Sequence, residues 1–408
     1  MIPPHCDYGW VMRRAAFYIA GLLLAHSVSA EDLGSFESCV ADLGQQAREA
    51  GVDAALVDRV LPTLALVERV IELDRKQPEF VQTFGDYVSA RVTEARVDRG
   101  RELMARHGEF LNQLLRRYGV PPRYLVAFWG LETNYGSYMG NVSTLDALAT
   151  LACDRRRSDF FSGEFVDALQ LVQREALPLE RLRGSWAGAV GHTQFMPSSY
   201  LRYGVDGDGD GQVDLWTSEQ DALASGANFL SSLGWTAELR WGRSVSLPGD
   251  FPYEFADLKE QRTLAEWVSL GVRRDDGAAL PALDLQSSVL LPAGHRGPAY
   301  LVYDNFRVAM RWNQSQSYAL SVGLLADRLA GAPPLALPAA ASSALRTEDI
   351  AGAQSALNAL GYGVGAADGV VGSRTRAALR AFQLEQGLPA DGYPDAATLE
   401  ALDVAIRS

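Results

Sequence analysis

Histidine and cysteine are scarce in this sequence, and its basic residues do not balance its acidic ones. The 408 residues include five histidines and three cysteines, and the formal net charge is −13. No histidine cluster, nucleophile elbow or glycine-rich phosphate loop is present, so the sequence offers no pattern for those kinds of chemistry. The acidic balance argues against nucleic acid as a partner, because nucleic-acid binders present basic faces. It also argues against electrostatic docking on anionic lipid.

A long apolar run is missing as well, and the one short run near the N-terminus has a different meaning. A basic pair at 13–14 precedes apolar residues 15–25, and small residues follow up to Ala30. This order is typical of a secretory signal peptide, which we predict to be cut after Ala30. The run is too short for a comfortable membrane span, although a short N-terminal anchor is the alternative. Because residues precede the basic pair, translation could start at Met12 rather than Met1.

The few cysteines are still informative in an exported protein. Cys6 lies within the segment that the signal peptide removes, which leaves Cys39 and Cys153 as an even pair. Export places the chain in a compartment that permits disulfides, so we predict a bond between Cys39 and Cys153. Two free buried thiols are the alternative, because the sequence does not give the distance between their Cα atoms.

The length of the chain predicts more than one domain. The composition shifts at residues 331–346, a stretch of Pro, Ala and Ser that is typical of a linker. We therefore divide the chain into a signal peptide (1–30), a large domain (31–330), this linker and a small C-terminal domain (347–408). A hydrophobic content of 48% is enough to fill the cores of both domains.

Hydrophobic periodicity predicts a mainly α-helical protein of the α+β class. Residues 31–118 repeat apolar side chains at helical spacing. Between 240 and 312, Pro and Gly separate short strand-like segments at 244–247, 287–291 and 300–303, which predicts a small antiparallel sheet inserted into a helical body. The C-terminal domain has too few residues for much more than three helices.

One acidic residue stands on an aromatic helix face. Pro121 and Pro122 suit a first helical turn, the helical repeat puts Phe128 and Glu132 on one face, and Gly136 can end the helix. A carboxyl group there loses hydration, which raises its pKa, as a general acid near neutral pH requires. A structural Glu paired with an arginine is the alternative.

An aspartate-rich loop at 206–217 predicts a calcium site. Its position twelve, where an EF-hand loop has a bidentate Glu, is Thr217, so Glu219 or Asp221 would have to close the site. A plain acidic turn is the alternative, although close carboxylates repel one another without a cation. Oxygen side chains occupy positions one, three, five and nine, and glycine position six: Asp206, Asp208, Asp210, Asp214 and Gly211.

A glycine-rich loop at 184–200 carries Trp186, Phe195 and Tyr200. Glycine lets a backbone or a ligand approach closely, and aromatic rings with polar tips suit a sugar. A tight packing junction between helices is the alternative. His192, alone in this loop, is expected to be structural or to line a pocket rather than to bind a metal.

Three successive arginines occupy positions 155–157. Such a run usually forms a solvated face. It could also hold a carboxylate, such as that of a peptide stem or a lactyl group, because guanidinium pairs well with carboxylate.

Most of the chain resembles two known families. Residues 33–330 are similar to the B-type lytic murein transglycosylases in three blocks, GLETNYGSYMG, GSWAGAVGHTQFMPSSYLRYGVD and YLVYDNFRVAMRWNQSQSYA. Residues 347–404 resemble the three-helix peptidoglycan-binding module through QSALNALGY, DGVVGSRTRAALRAFQ and GLPADGYPDAATLEAL. The resemblance implies a lysozyme-like catalytic domain that acts on the glycan strands of peptidoglycan without an organic cofactor.

The resemblance places the catalytic acid/base on Glu132. Members of the family cleave the β-1,4 bond between N-acetylmuramic acid and N-acetylglucosamine without water, because the muramic O6 attacks its own anomeric carbon and leaves a 1,6-anhydro end. Glu132 would protonate the leaving oxygen and then accept the O6 proton. No second carboxylate accompanies Glu132 in its motif, whereas ordinary glycosidases use two.

The resemblance also implies roles for other residues. Ser185 and Gln194 are expected to bind the sugar near the acid, and Arg156 and Arg157 to face the muramyl side. Trp312 stands where relatives can carry Tyr, so at this position the chain lacks the hydroxyl group through which such a Tyr would contact the site. The residues expected to line the cleft are Tyr87, Phe195, Asn313 and Tyr318. The expected ligands of a structural Ca²⁺ are Asp206, Asp208, Asp210, the Gln212 carbonyl, Asp214 and Asp221, with Glu219 as the alternative to the last.

We therefore expect a periplasmic, monomeric lytic transglycosylase with a tethered wall-binding module and no stable membrane anchor. Its partners would be peptidoglycan and, as candidates, other wall-synthesis or wall-degrading enzymes, but not nucleic acid. A hydrolytic muramidase on the same fold and a catalytically silent wall-binding scaffold are the alternatives.

Overall fold

A computed structural model of the chain describes residues 30–75, 82–154, 157–338 and 346–407, with the backbone alone at 30–34. The predicted signal peptide, apart from Ala30, and Arg156 lie outside the described residues. The N-terminal half is helical, as predicted. Its first helices are α1 (Ala30–Glu49), α2 (Ala54–Val60), α3 (Glu68–Arg75), α4 (Phe84–Arg91), α5 (Glu94–Arg106), α6 (Gly108–Tyr118) and α7 (Pro122–Thr133).

Helices continue through the centre of the chain and return after the sheet. Side-chain caps define several starts: the Ser143 hydroxyl accepts from the Asp146 amide at the start of α8, and the Ser315 hydroxyl accepts from the Tyr318 amide at the start of α14, bonds that satisfy helix N-termini. The remaining helices of the body are α8 (Thr144–Cys153), α9 (Ser158–Arg174), α10 (Pro197–Tyr203), α11 (Glu219–Ser232), α12 (Leu264–Ser269), α13 (Asp304–Trp312) and α14 (Gln316–Leu329).

Two hydrophobic cores support the helical body. One is built around α7 and α14 and contains Tyr124, Phe306 and Leu325. The other joins α1, α8 and α9 and contains Phe161 and Phe165. The predicted disulfide is confirmed: Cys39 in α1 and Cys153 at the end of α8 are bonded, with their Cα atoms 5.9 Å apart. The bond therefore fixes the N-terminal helix to the second core.

Two antiparallel sheets interrupt the helices. A short ladder pairs β1 (Val142–Ser143) with β2 (Arg183–Gly184), which joins the loop after α7 to the glycine-rich loop. A second, five-stranded sheet has the order β4-β6-β7-β3-β5 and packs on its own core around Trp267. It confirms the predicted insertion, although the two-residue edge strands were too short to predict. Its strands are β3 (Gly242–Ser246), β4 (Arg262–Thr263), β5 (Arg273–Arg274), β6 (Gln286–Leu290) and β7 (Ala299–Val302).

The C-terminal segment forms the predicted three helices, α15 (Thr347–Ala359), α16 (Ser373–Glu385) and α17 (Ala396–Ala405). Leu357, Leu379 and Phe382 lie in its small separate core. The segment also contacts the sheet region: the Arg380 guanidinium donates to Asp257 at 2.7 Å, and His295 Nδ1 lies 2.8 Å from the buried Asp391 carboxylate. The module is thus packed against the body and not only tethered to it.

The described part of the linker follows the surface of the body. Leu335 and Leu337 pack against the core around α7 and α14, and the Arg328 guanidinium donates to the Ala332 carbonyl. Within the described residues, none of the helices combines the length and the apolar character that crossing a membrane requires.

Candidate active site

Glu132 lies in the last turn of α7, whose end differs from the prediction. The helix ends at Thr133, because Asn134 adopts a left-handed conformation with φ of 49° and Tyr135 follows with φ of 61°. Asn is one of the residues that accepts this conformation most readily, so the prediction that Gly136 ends the helix was wrong by a few residues. The early stop leaves Glu132 at the rim of the helix, beside the glycine-rich loop.

That loop is bonded directly to the end of α7. The Thr133 hydroxyl donates to the His192 carbonyl at 3.0 Å, and the Trp129 indole N–H donates to His192 Nδ1 at 2.9 Å. Burial lowers the pKa of His192, which favours the neutral ring that can accept this bond. His192 therefore has the structural role that was predicted for it.

Two aromatic side chains hold the Glu132 carboxylate. The Trp312 indole N–H donates to Glu132 Oε1 at 2.8 Å, and the Tyr318 hydroxyl donates to the same oxygen. Trp312 is the last residue of α13 and Tyr318 lies in the first turn of α14. The short connection between those two helices thus brings both donors to one oxygen of the carboxylate.

Burial raises the pKa of Glu132 to about 7, while the hydrogen bonds from Tyr318 and Trp312 act in the opposite direction. Desolvation disfavours the charged carboxylate more strongly than the two donors favour it. This result agrees with the raised pKa that the aromatic helix face predicted. A carboxyl group with such a pKa is partly protonated at neutral pH and can serve as both acid and base.

Within the described residues, Glu132 forms no hydrogen bond with another carboxyl group. Among the described acidic residues, none contributes to the shift in its pKa. Asp146, in the first turn of α8, accepts a hydrogen bond from the Ala65 amide. Since hydrolytic glycosidases place two carboxylates around the bond that they cleave, the described site fits single-acid chemistry better.

An aromatic cluster forms the wall behind Glu132. The Trp312 ring lies 4.5 Å from Phe128, 5.5 Å from Phe195 and 5.1 Å from Phe229, measured between centroids. The structure thus joins Phe195, a predicted cleft residue, to the site through Trp312. The direct contact of Trp312 with Glu132 was not predicted, although its position beside Asn313 was a signal that could have suggested it.

The other predicted aromatic residues also lie nearby. Tyr318 is buried, 5% exposed, and its ring centroid lies 6.2 Å from that of Phe128. Tyr87 is buried in α4 beneath the Arg91 guanidinium, 3.4 Å from its ring centroid, and is close enough to help raise the pKa of Tyr318. The structure therefore places Tyr87, Tyr318 and Glu132 in one region.

Ser185 and Gln194 order the glycine-rich loop. The Ser185 hydroxyl accepts from the Ala189 amide at 3.1 Å, and the Gln194 amide N–H donates to the Met139 carbonyl at 3.1 Å. Gly140 lies so close to the Gly184 carbonyl that a Cβ atom would meet that oxygen at 2.1 Å. The loop after α7 and the glycine-rich loop thus form one tightly packed edge, and a direct contact of Ser185 or Gln194 with Glu132 is not among the described bonds.

Two predicted residues have other partners. The Arg157 guanidinium is bound to the buried Asp74 carboxylate and lies over the Phe161 ring, 4.9 Å from its centroid. The Asn313 side-chain oxygen accepts from the Ser315 amide at 3.1 Å, which supports the turn between α13 and α14. Sequence reasoning gave no signal for the pair with Asp74, because 83 residues separate its two members.

The aspartate-rich loop brings three carboxylates together. Oxygen atoms of Asp206, Asp208 and Asp210 all lie within 4.8 Å of one another. Gly211 adopts φ of 91°, so the sharp turn falls where the EF-hand pattern requires glycine. Because carboxylate oxygens are ligands that Ca²⁺ prefers, the residues that are present fit this ion.

Asp221 and Glu219 are the two candidates for the last ligand of the Ca²⁺ site, and their side chains have different partners. Asp221 is buried, and its carboxylate accepts from the amides of Gly207 at 2.8 Å and Asp214 at 2.7 Å. Glu219 instead lies 2.8 Å from His107 Nε2. Asp221 therefore faces the loop, while Glu219 faces α6.

Comparison with known proteins identifies both parts of the chain. The Transglycosylase SLT domain family matches residues 35–327, and the Putative peptidoglycan binding domain family matches residues 346–402. The membrane-bound lytic murein transglycosylase B of Escherichia coli (strain K12) is 34% identical over 245 residues, which is 59% of this chain and 65% of that protein. The alignment thus spans slightly less than two thirds of the length of this curated relative.

Solved structures agree with this assignment. SltB3 from Pseudomonas aeruginosa in complex with NAG-anhNAM-pentapeptide has a TM-score of 0.82 and 43% sequence identity, over 90% of this chain and 99% of that chain. The lytic transglycosylase Slt35 of Escherichia coli in complex with calcium has a TM-score of 0.62 and 29% identity, over 72% of this chain and 92% of that chain.

Proposed function

Because the chain belongs to the Transglycosylase SLT domain family, we propose that it is a peptidoglycan lytic transglycosylase. It cleaves the β-1,4 bond between N-acetylmuramic acid and N-acetylglucosamine without water and leaves 1,6-anhydro ends. One observation carries the proposal: a single carboxyl group, Glu132, with a pKa raised to about 7, is held by two aromatic donors in a cleft without a second acid among the described residues. The NAG-anhNAM-pentapeptide bound in the SltB3 complex carries an anhydro sugar, which supports the same reaction.

The hydrogen bonds of Glu132 suggest how one residue serves both steps. Tyr318 and Trp312 both donate to Oε1, so the proton of the neutral carboxyl resides on Oε2. Oε2 gives this proton to the leaving glycosidic oxygen as the bond to the muramic anomeric carbon breaks. The same oxygen then accepts the O6 proton as O6 bonds to that carbon, which restores neutral Glu132 and consumes no water.

The remaining predicted residues complete the substrate cleft in this proposal. Ser185 and Gln194 bind the sugar near Glu132, while the buried rings of Phe195 and Tyr87 support the cleft wall from behind. Arg157, oriented by its bond to Asp74, binds the muramyl side, and Arg156, which lies outside the described residues, is assigned the same role. Asn313 holds the turn that carries Trp312 and Tyr318.

Product analysis tests the proposal. The full-length protein would be incubated with purified peptidoglycan, and the released muropeptides would be examined by mass spectrometry. We expect 1,6-anhydromuramic ends, which are 18 Da (the mass of one water, by the stoichiometry of the reaction) lighter than reducing ends. Reducing ends would show a hydrolytic muramidase, and no released product would show a silent scaffold; either result would refute the proposal.

We also propose that the aspartate-rich loop binds a structural Ca²⁺. The ligands would be the carboxylates of Asp206, Asp208, Asp210 and Asp214, the Gln212 carbonyl and Asp221. The calcium complex of Slt35 supports the choice of ion, and the pairing of Glu219 with His107 favours Asp221 as the closing ligand. The ion would offset part of the negative charge of these carboxylates and fix the loop backbone beside α11.

The domain division follows from the same proposal. Residues 31–330 form the catalytic domain, residues 331–346 the linker and residues 347–408 a peptidoglycan-binding module, while residues 1–30 direct export to the periplasm. The module keeps the enzyme on its polymer, because linked binding sites raise effective concentration. The monomeric chain would meet other wall enzymes on the same polymer.

A further inference from the structure

A large cavity lies between the sheet, the end of α14 and the linker, and the proposed reaction does not use it. Its volume is about 670 Å³, which is within the usual range for sites that bind small molecules. Four of its charged lining residues are basic and two are acidic: Arg240, Arg243, Arg274, Arg328, Asp275 and Asp327. The cavity is therefore cationic in a protein whose net charge is −13.

The arginines of the cavity are not all neutralised by the protein. Arg240 is paired with Asp327 at 2.9 Å, Arg328 with Glu94 and Arg274 with the exposed Asp276. Within the described part of the chain, no carboxylate forms an ion pair with Arg243. The Nε atoms of Arg240 and Arg243 are both buried and have no hydrogen-bond acceptor in the described structure. These two Nε atoms are closed to solvent, so a ligand in the cavity would use the terminal nitrogens of the guanidinium groups, and Arg243 is the lining arginine without an ion pair among the described residues.

Apolar groups form the remaining walls. Tyr300 and Leu324 belong to the body, while Leu335 and Leu337 belong to the linker, and all four line the cavity. Three prolines, Pro333, Pro334 and Pro338, complete the linker wall. A ligand that fits this lining combines an anionic group with a short apolar or extended body.

The cavity is separate from the Glu132 site. Tyr318 lies in the first turn of α14, whereas Asp327 and Arg328 lie near its end. Nine residues of helix separate Tyr318 from Asp327, which is about 13 Å along the helix axis. A ligand in the cavity would therefore not occupy the position beside Glu132.

We propose that this cavity is a second binding site, for a carboxylate-bearing peptide. The carboxylate pairs with the guanidinium groups of Arg243 and Arg274, since arginine forms strong charge-assisted bonds with carboxylates, and the peptide chain lies against the prolines and leucines of the linker. The expectation that this peptide is a stem of peptidoglycan rests on the proposed function. The choice of a carboxylate rests only on the arginines that line the cavity, of which Arg243 has no ion pair among the described residues.

Calorimetric titration of the full-length protein tests the proposal. The probe is the synthetic tetrapeptide alanyl-γ-glutamyl-lysyl-alanine with free carboxylates, and its fully amidated form is the control ligand. We expect the amidated form to bind about tenfold more weakly or worse, because charge-assisted bonds are lost. Arg243→Gln should weaken binding of the free acid by a similar factor.

Neighbouring residues provide a matched pair of exposed variants. Arg274 lines the cavity and Arg273, beside it in β5, does not, so Arg274→Gln should weaken binding several-fold and Arg273→Gln should leave it within about twofold. This pair keeps the test valid if Arg243→Gln fails to fold. The proposal is overturned if the wild type shows no binding, if amidation has no effect, or if the Arg273 and Arg274 variants behave alike.

A second set of measurements compares free peptides with peptides attached to glycans, and tests binding independently of cleavage. Binding of the free tetrapeptide together with stems attached to short glycans would identify peptidoglycan stems as the ligand, whereas binding of the free tetrapeptide alone would identify a released peptide. Arg274→Gln should leave cleavage of peptide-free glycan strands unchanged. If wild-type protein failed to form anhydro ends, the proposed function would be lost while the binding data would stand.

Discussion

The two acidic sites of this molecule use carboxylates in opposite ways. At Glu132, one carboxyl group is surrounded by Phe128, Trp312 and Tyr318, and burial raises its pKa to about 7. In the aspartate-rich loop, Asp208 and Asp210 are exposed beside a partly buried Asp206. Burial favours the neutral acid at Glu132, whereas the adjacent carboxylates of the loop repel one another and are stabilised by a cation.

This difference explains why the two sites place their hydrogen bonds differently. Glu132 receives its donors from side chains of distant segments, 180 and 186 residues along the chain. Asp206 receives its donors from the amides of Gly209 and Gly211 in the same loop. The first site therefore depends on the tertiary fold, while the second is largely local and needs its own loop, the nearby Asp221 of α11 and an ion.

Replacement of the catalytic acid should have the largest effect. We expect Glu132→Gln to lower the rate of anhydro product release about 10²–10⁴-fold, because general acid–base catalysis contributes that much. The rate would be measured by chromatography of muropeptides. Glu109→Gln, an exposed change of the same type, is the control and should retain full activity. Equal rates for Glu132→Gln and wild type would refute the role of Glu132.

Removal of the metal should have the next largest effect, on stability. A chelator should lower the free energy of unfolding by about 3 kcal/mol when Ca²⁺ had been present at a hundredfold excess over its Kd. Asp208→Asn should lower the melting temperature in Ca²⁺ but not in chelator, because without the ion the missing charge only relieves repulsion. Asp284→Asn, an exposed control, should behave like wild type in both buffers.

Variants of Tyr318 and Trp312 test the two hydrogen-bond donors while the Glu132 carboxyl group is kept. Tyr318→Phe removes a donor to Oε1 of Glu132 and should lower the rate about tenfold. It should also move the alkaline limb of the pH–rate profile to higher pH, because the Tyr318 bond lowers the pKa of Glu132. Trp312→Phe should act in the same direction, and Trp312→Tyr, which keeps a donor, should be milder. A pH–rate profile that is unchanged in Tyr318→Phe would contradict this assignment.

The sequence was sufficient for the parts of the fold that have regular spacing. The helical region at 31–118, the three C-terminal helices and the strand at 287–291, observed at Gln286–Leu290, were predicted because apolar periodicity and turn residues are local signals. The cysteine pair was predicted from its number and compartment alone. The two-residue strands β4 and β5 were missed, because such short segments carry no period.

The site was only partly predictable for a physical reason. Glu132 stood out because its aromatic neighbours lie on its own helix, and the aspartate-rich loop because its ligands follow one another. The bond from Trp312 to Glu132 and the pairing of Arg157 with Asp74 depend on how distant helices pack. Residue spacing carries no information on such contacts, so only the resemblance to a family indicated the other cleft residues.

The smallest predicted effect is the pH dependence of the free energy of unfolding that Glu132 causes. It tests directly whether this buried carboxyl group behaves differently from the clustered aspartates. The folded-state pKa of Glu132 is raised from 4.5 to about 7, so this group stabilises the fold fully below about pH 4.5 and the contribution is lost as the pH rises through about 7.

Glu132→Gln carries no such charge. We therefore expect it to be more stable than wild type by about 1 kcal/mol at pH 8, since a shift of one pKa unit is worth about 1.4 kcal/mol and the lost hydrogen bonds reduce the gain. The difference should shrink towards pH 5, and urea unfolding at both pH values measures it. A difference that grows towards pH 5 would mean that Glu132 is stabilised as a carboxylate, as in an ordinary ion pair, and the contrast between the two acidic sites would fail.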